Sequence, residues 1–364
     1  MNDRKYWLGF SLIPEIGPKR LLRLRNWFHD LESAWTASES ALYEAGLGQH
    51  ATRNLLALRA RLNLPAEIEK LERIGARFIT LDETEYPGLL KQLPDAPIVL
   101  YVRGTLLPDD ERALAVVGTR RASTYGRDVA HHLSRELAAN EVTVVSGLAH
   151  GIDAAAHQGA LDGGGRTIAV LGCGIDRIYP SDHQTLAARI VQHGALVSEF
   201  PLGSAPDARH FPRRNRIISG LAVGVLIVEA PVRSGALITA TAAAEQGRDV
   251  FAVPGSVFSA TSAGPHQLIQ EGAKLVMKVE DILDELNLIR RQVETRAVAE
   301  KVAPATENER LILDALGTEP IHVDDLGRRC GLPVAVISST LTILELKGLA
   351  RIVGPMQYCL AQDW

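Results

Sequence analysis

The sequence predicts an α/β protein with a doubly wound parallel sheet of about nine strands, a small helical module before it, and three helices with a hairpin after it. Three observations carry this. From about residue 66 to 286 short apolar runs alternate with amphipathic runs, the rhythm of strands joined by covering helices. From residue 1 to about 65 the apolar spacing is helical with short breaks. Beyond a polar stretch at 287–306, punctuated by Pro304, helical spacing returns and ends in two short strand-like runs.

The first region holds "LIPEIGPKRLLRL", in which Gly17-Pro18 separates an apolar pair from Lys19, Arg20 and a leucine face. This resembles a helix-hairpin-helix element, whose glycine turn offers backbone N–H groups to phosphate, and "EAGLGQHATRNLLAL" is a weaker second copy. Plain helical packing accounts for the same pattern. The nine expected strands are Phe78–Leu81, Ile98–Val102, Leu114–Val117, Val142–Val145, Thr167–Leu171, Ala195–Phe200, Gly224–Val228, Val250–Val253 and Leu275–Met277. Residues 287–306 read as a linker. Helices at Glu307–Leu316, Val323–Cys330 and Pro333–Leu346, with "GLARIVGPMQYCL" as a hairpin, make a winged helix-turn-helix at 307–364. Its recognition helix has one basic residue, Lys347, which fits protein contact at least as well as base reading.

Composition narrows the function. A chain of 364 residues suits two or three domains. Cys173, Cys330 and Cys359 are few and scattered, which fits a reducing compartment and no disulfide or zinc framework. The N-terminus is a poor signal peptide and the longest apolar stretch, "LAVGVLIV", is too short to cross a bilayer, so a cytoplasmic protein without membrane partners is expected. The net charge of −4 weighs against a protein coated in nucleic acid, yet two windows are free of acid: "GTRRASTYGR", with Arg120, Arg121 and Arg127, and "ARHFPRRNR", with Arg209, Arg213, Arg214 and Arg216.

In an open parallel sheet ligands lie beyond the carboxyl ends of the strands. Those ends here are Gly118-Thr119-Arg120, Ser146-Gly147, Gly172-Cys173-Gly174, Glu199-Phe200-Pro201, Glu229-Ala230 and Pro254-Gly255. Their small residues let backbone amides approach an anion, and "RSGALITAT" opens a further helix with Ser234 as N-cap and Gly235 beside it. Tight strand-to-helix turns would use the same glycines. "HGIDAAAH" sets His150, Asp153 and His157 on one helical face, a possible metal constellation. The helix start at Gly151 argues against this, and Asp153 reads instead as a first-turn acid favourable to the helix dipole. Glu199 and Glu229 are expected to anchor arginines rather than to act as catalytic acids, and Cys173 has no assignable base.

The runs "AVVGTRRASTYG", "VVSGLAHGIDAAAHQGAL", "TIAVLGCGIDRIYPSDHQTL", "LVSEFPLG", "HFPRRNRIISGLAVGVLIVEA", "RSGALITATAAAEQGRDVFAVPGS" and "GPHQLIQEGAKLV" together resemble the DNA-processing protein A (DprA/Smf) family over roughly residues 70 to 280. The resemblance implies an α/β fold with an extended Rossmann-like parallel sheet at 66–286. It also implies an N-terminal small helical (SAM or helix-hairpin-helix-like) domain at 1–65 and a C-terminal winged-helix domain. It implies sequence-independent binding of single-stranded DNA, a homodimer, and loading of RecA recombinase during natural transformation, with neither catalysis nor a cofactor. By the match, Arg120 takes the place of the strand-binding arginine, and Gly118, Thr119, Ser146, Gly147, Asn215 and Arg216 line the pocket. Arg121, Arg214, Ser234 and Gly235 belong to the same basic and anion-ready set, and Phe211 would stack a base or be buried. Many relatives carry a lysine after "YP", where this chain has Ser181 and Asp182; His183 or Arg177 would have to compensate. The dimer is expected around Leu268, Ile269 and Leu275. The rival readings are a Rossmann-like nucleotide phosphoribohydrolase, for which Glu245 lies too far along its helix, and a winged-helix regulator with a sensory domain. A dinucleotide dehydrogenase lacks its fingerprint.

Overall fold

The computed structural model describes residues 3–286, 306–317, 319–347, 349–354 and 356–360; the expected linker lies outside them except for Thr306. The chain divides into two compact units, Met1–Gln292 and Val293–Trp364.

The first unit is built on β1 (Ala76–Thr80), β2 (Val99–Gly104), β3 (Ala113–Val117), β4 (Thr143–Ser146), β5 (Thr167–Val170), β6 (Gly194–Ser198), β7 (Gly224–Ile227), β8 (Asp249–Ala252) and β9 (Lys274–Leu275). They form one sheet in the order β1-β2-β6-β5-β4-β3-β7-β8-β9. All nine expected strands are present. The sheet departs from an all-parallel one at one edge, where β2 runs antiparallel to β6 and to β1. From β3 the chain steps through β4, β5 and β6 to one side, then returns to lay β7 against the other side of β3. That reversal creates a switch point between β3 and β7, where a crevice must open beyond the strand ends.

Alternation within β3 shows why the sheet is buried on both faces. Ala113, Ala115 and Val117 enter a core with Ile217, Ile218, Ala236 and Ala240 from the helices His210–Gly220 and Gly235–Glu245. Leu114 and Val116 face the opposite core, with Leu133, Leu137, Ile152 and Ala156 from Thr124–Ala139 and Ile152–Asp162. Helices Arg4–Ser11, Pro18–Phe28, Leu31–Thr36, Glu39–Glu44, Gln49–Arg59 and Leu64–Arg73 make up the N-terminal module. Its Trp7, Phe10 and Trp35 share a core with Phe78 and Tyr101 of the antiparallel edge, so module and sheet pack as one body. Gly17 and Gly48 are the N-caps of Pro18–Phe28 and Gln49–Arg59, at the two hairpin-like turns.

In the second unit helices Glu307–Ala315, Val323–Cys330 and Val334–Leu346 surround Ile312, Leu326, Ile337 and Leu341. Strands β10 (Ile321–His322), β11 (Ala350–Gly354) and β12 (Gln357–Leu360) pair in the order β10-β12-β11. This is the winged helix, with β10 as a short strand beyond the expected hairpin. Lys347, the basic residue expected on its recognition helix, donates to the buried Glu309 carboxylate at 2.7 Å. Among the described residues no helix is long and apolar enough to cross a membrane.

One buried titratable group gives a pH test of the sheet's packing. His157 is fully buried, and its Nδ1 donates to Thr167 Oγ1 at 2.7 Å, because the Thr167 hydroxyl itself donates to the Val144 carbonyl. Burial, assisted by the nearby His183 and Arg214 charges, pushes its pKa from 6.5 down to about 3. The unfolded chain accepts a proton that the folded chain refuses. The stability contributed by neutral His157 is therefore whole above ~6.5 and lost as pH falls toward about 3. Urea denaturation of a His157→Gln variant should show an acid-side slope shallower than the wild type by up to about 1.4 kcal/mol per pH unit. Identical slopes would place the proton elsewhere.

Candidate nucleic-acid interface

A cavity of about 430 Å³ opens at the switch point. Its walls are Gly118, Thr119, Arg120 and Arg121 after β3, Ala149 and Asp153 after β4, Phe211, Arg214 and Asn215 of His210–Gly220, and Arg233, Ser234 and Gly235 at the start of Gly235–Glu245. Nine of the twelve DNA-site residues expected from sequence meet here. Gly147 touches the site from beneath, as the backbone on which Arg214 rests. Ser146 and Arg216 do not line the cavity. Ser146 is buried and donates to the Val116 carbonyl at 2.6 Å, locking β4 to β3. Arg216 turns away to Glu199 Oε2 at 2.6 Å and to the Asp95 carbonyl at 2.9 Å.

Arg214 is 4 % exposed and forms the floor. Its Nη1 donates to the Val170 carbonyl at the end of β5, at 2.8 Å, while its buried Nε has no partner. Burial pulls the guanidinium pKa down, opposed through space by Asp153. Asp153 is itself buried and its carboxyl is raised by desolvation, against the pull of Arg214 and of the Ala149 and Gly147 amides. Those amides donate to its Oδ2 at 3.3 and 3.2 Å. Asp153 is thus a buried brace for the loop after β4, a tertiary role beyond that of a first-turn acid. The loop needs Gly147 and Gly151. A Cβ on Gly147 would lie 1.7 Å from Arg214 Nη1, and one on Gly151, at φ 77°, would lie 2.4 Å from the Thr119 carbonyl.

Phe211 is half-buried and serves as a platform. Arg120 Cζ lies 4.8 Å from its ring centroid and Arg214 Cζ 5.9 Å, and the ring packs on Gly172. Beside Phe211 stands Tyr179, 44 % exposed, its ring centroid 6.0 Å from that of Phe211. Tyr179 lies far along the chain from both basic windows, and the signal for it is the tyrosine of the "YP" pair itself.

The strand-end amides are largely spent within the protein, against the expectation that they cradle an anion. Thr119 N donates to the Glu229 carbonyl at 2.6 Å, Ser123 N to the Glu229 carboxylate at 2.9 Å, and the two loop amides to Asp153. Glu229 does not anchor an arginine: it also takes the Ser123 and Thr261 hydroxyls, at 2.7 and 3.0 Å, in space left by Gly126. Glu199 does anchor arginines, Arg216 and Arg213, and Arg209 pairs with Asp207. The second basic window is therefore mostly neutralised. The guanidiniums of Arg120, Arg121 and Arg233 are exposed, and none forms an ion pair among the described residues. The helix Gly235–Glu245, N-capped by Ser234, adds its dipole. His150, Asp153 and His157 do not converge, and Cys173 is buried with its thiol pushed up to about 11. At the other end of the sheet Leu268 packs on the protein's own core, Ile269 is half-buried, and Leu275 on β9 and Met277 are exposed.

Fold and site together define a doubly wound α/β protein whose crevice is lined by arginine side chains. The "DNA recombination-mediator protein A" family model matches residues 77–287, and a "DprA winged helix domain" model matches residues 297–354. "Protein Smf" of Escherichia coli is 39 % identical, covering 97 % of this chain and 95 % of that one. DNA processing protein A of Streptococcus pneumoniae has a similar structure, with a TM-score of 0.68 and 36 % identity over 78 % of this chain and 99 % of its own. That of Helicobacter pylori, described for its single-stranded DNA binding mode, has a TM-score of 0.52 and 29 % identity over 58 % and 96 %. The chain belongs to the DNA recombination-mediator protein A (DprA/Smf) family.

The packing of Arg214 on bare backbone is testable without any ligand. Gly147→Ala should lower stability by about 1–3 kcal/mol through overpacking, read as a lower urea midpoint at unchanged m value. An unchanged midpoint would mean that Arg214 does not press on this backbone.

Proposed function

We propose that the protein binds single-stranded DNA without sequence preference in the switch-point crevice, as a homodimer that loads RecA recombinase onto strands in the cytoplasm. The observation that carries the reading is the convergence of unpaired Arg120, Arg121 and Arg233 above the buried Arg214. Guanidinium forks and a helix N-terminus match phosphate oxygens, which every sequence offers alike. The winged helix favours the same view, since Lys347 is occupied by Glu309. The single-stranded DNA binding described for the Helicobacter relative and the family's designation as recombination mediators support the strand and RecA parts. Residues 66–286 carry the site, with 1–65 and 307–364 as accessory domains. A ribohydrolase gains nothing from the structure: Glu245 ends its helix, about 15 Å along the axis from Gly235 at 1.5 Å per residue.

Fluorescence polarisation with labelled oligonucleotides across a salt series tests the reading. Single strands should bind more tightly than duplex, and random and homopolymeric strands should agree within about tenfold. Arg120→Ala should cost about 1.5–3 kcal/mol, flatten the salt dependence and weaken RecA assembly on single strands, with folding unchanged. Undiminished affinity in the folded variant would refute the site.

For the dimer, Ile269→Glu places a charge in the proposed seam and should yield a folded monomer by light scattering. That monomer should bind short strands normally and lose the advantage of long strands that bridge two sites. An unfolded variant would assign Ile269 to the protein's own core, and a wild type that runs as a monomer at tens of micromolar would refute the dimer.

A further inference from the structure

We propose that His150, Asp182 and His183 form a site for a divalent transition cation, tested here as Zn²⁺, on the rim of the crevice. Sequence spacing pointed to His150 with Asp153 and His157. The fold sends those two inward and brings His150 instead to the loop after Pro180. One donor atom from each of His150, Asp182 and His183 lies within 4.8 Å of the others. His150 Nδ1 stands 3.8 Å from Asp182 Oδ2, and the two imidazoles meet edge to face with centroids 4.8 Å apart.

Two features go beyond proximity. His183 Nδ1 is 2.9 Å from the Leu148 carbonyl, which can only accept, so Nδ1 carries the proton and the lone pair sits on Nε2. A backbone carbonyl holding the second nitrogen is the outer-shell contact that orients metal-binding histidines. In addition, the donor set is selective: two imidazoles and one carboxylate suit Zn²⁺ rather than Mg²⁺ or Ca²⁺. Donors around a tetrahedral Zn²⁺ stand about 3.3 Å apart, given metal–ligand distances of about 2.0–2.1 Å. Rotamer changes of the exposed His150 and Asp182 side chains cover the difference.

Three protein ligands leave one position open for an outside oxygen. The site's surroundings indicate which. Ala149, beside His150, lines the crevice, and Gly151 packs on the backbone of Thr119 and Arg120. A bound cation would lie beside the crevice wall formed by Ala149 and the Thr119–Arg120 backbone and supply positive charge where Ser181 and Asp182 provide none; a phosphate oxygen of the strand would fill the open position. This coupling rests on the proposed strand site, whereas the metal site does not.

The experiment separates the two. Full-length protein is titrated with Zn²⁺ by calorimetry without DNA, alongside His150→Ala and Asp182→Ala, both at exposed positions. The wild type should hold one more equivalent than either variant; equal stoichiometry in all three overturns the site. Polarisation binding of an oligothymidylate is then compared in Zn²⁺ and in chelator. Zn²⁺ should tighten binding several-fold in the wild type and not in His150→Ala. An equal response in both overturns the coupling, and a wild type that binds no single strand sinks the strand reading while leaving the zinc stoichiometry to stand or fall alone.

Discussion

The Arg214 guanidinium, enclosed beneath the ends of β4 and β5, is the contact around which the crevice is organised. A buried charge is tolerated only when neighbouring dipoles and charges replace water. The Val170 carbonyl, the through-space pull of Asp153 and the bare backbone of Gly147 do so in part. From there the chain of contacts runs outward: Arg214 and Arg120 flank Phe211, and Phe211 rests on Gly172. One buried cation thereby joins the loops after β3, β4 and β5. Arg120 is thereby held on a prepared surface rather than on a free tether.

The loops themselves set what kind of ligand that is. Asp153 and Glu229 consume the amides that a nucleotide-binding turn would aim at a pyrophosphate. Recognition is left to long, separated guanidinium arms and one helix terminus, spread over an open crevice. Such an arrangement fits a chain of phosphates better than a single compact one. It also accounts for the lack of a dinucleotide fingerprint after β3: the backbone there holds the protein together through Glu229.

Charge pairing divides the two basic windows, which look alike on paper. Arg209, Arg213 and Arg216 are met by Asp207 and Glu199, while Arg120 and Arg121 are not. The winged helix repeats the lesson, since Lys347 turns to Glu309. An acid-free stretch of sequence marks where cations are dense; only the neighbours brought in by the fold decide which of them still face solvent unpaired.

The sequence by itself determined the elements: the nine strands, the N-terminal helices, the winged helix and the strand-end position of the site follow from periodicity and glycine placement. These are local signals, because strand and helix burial repeat within a few residues along the chain. Most of the crevice was legible too, since Gly118 to Arg121, Phe211 to Asn215, and Ser234 with Gly235 each follow a recognisable element. What only the tertiary structure decided are pairings between distant segments. It set the antiparallel edge at β1 and β2, the burial of Asp153 and Arg214, the turning away of Arg216 and the role of Glu229. It also set the meeting of His150 with Asp182 and His183. Each depends on which strand ends the crossover places side by side, and no spacing along one strand encodes that neighbour.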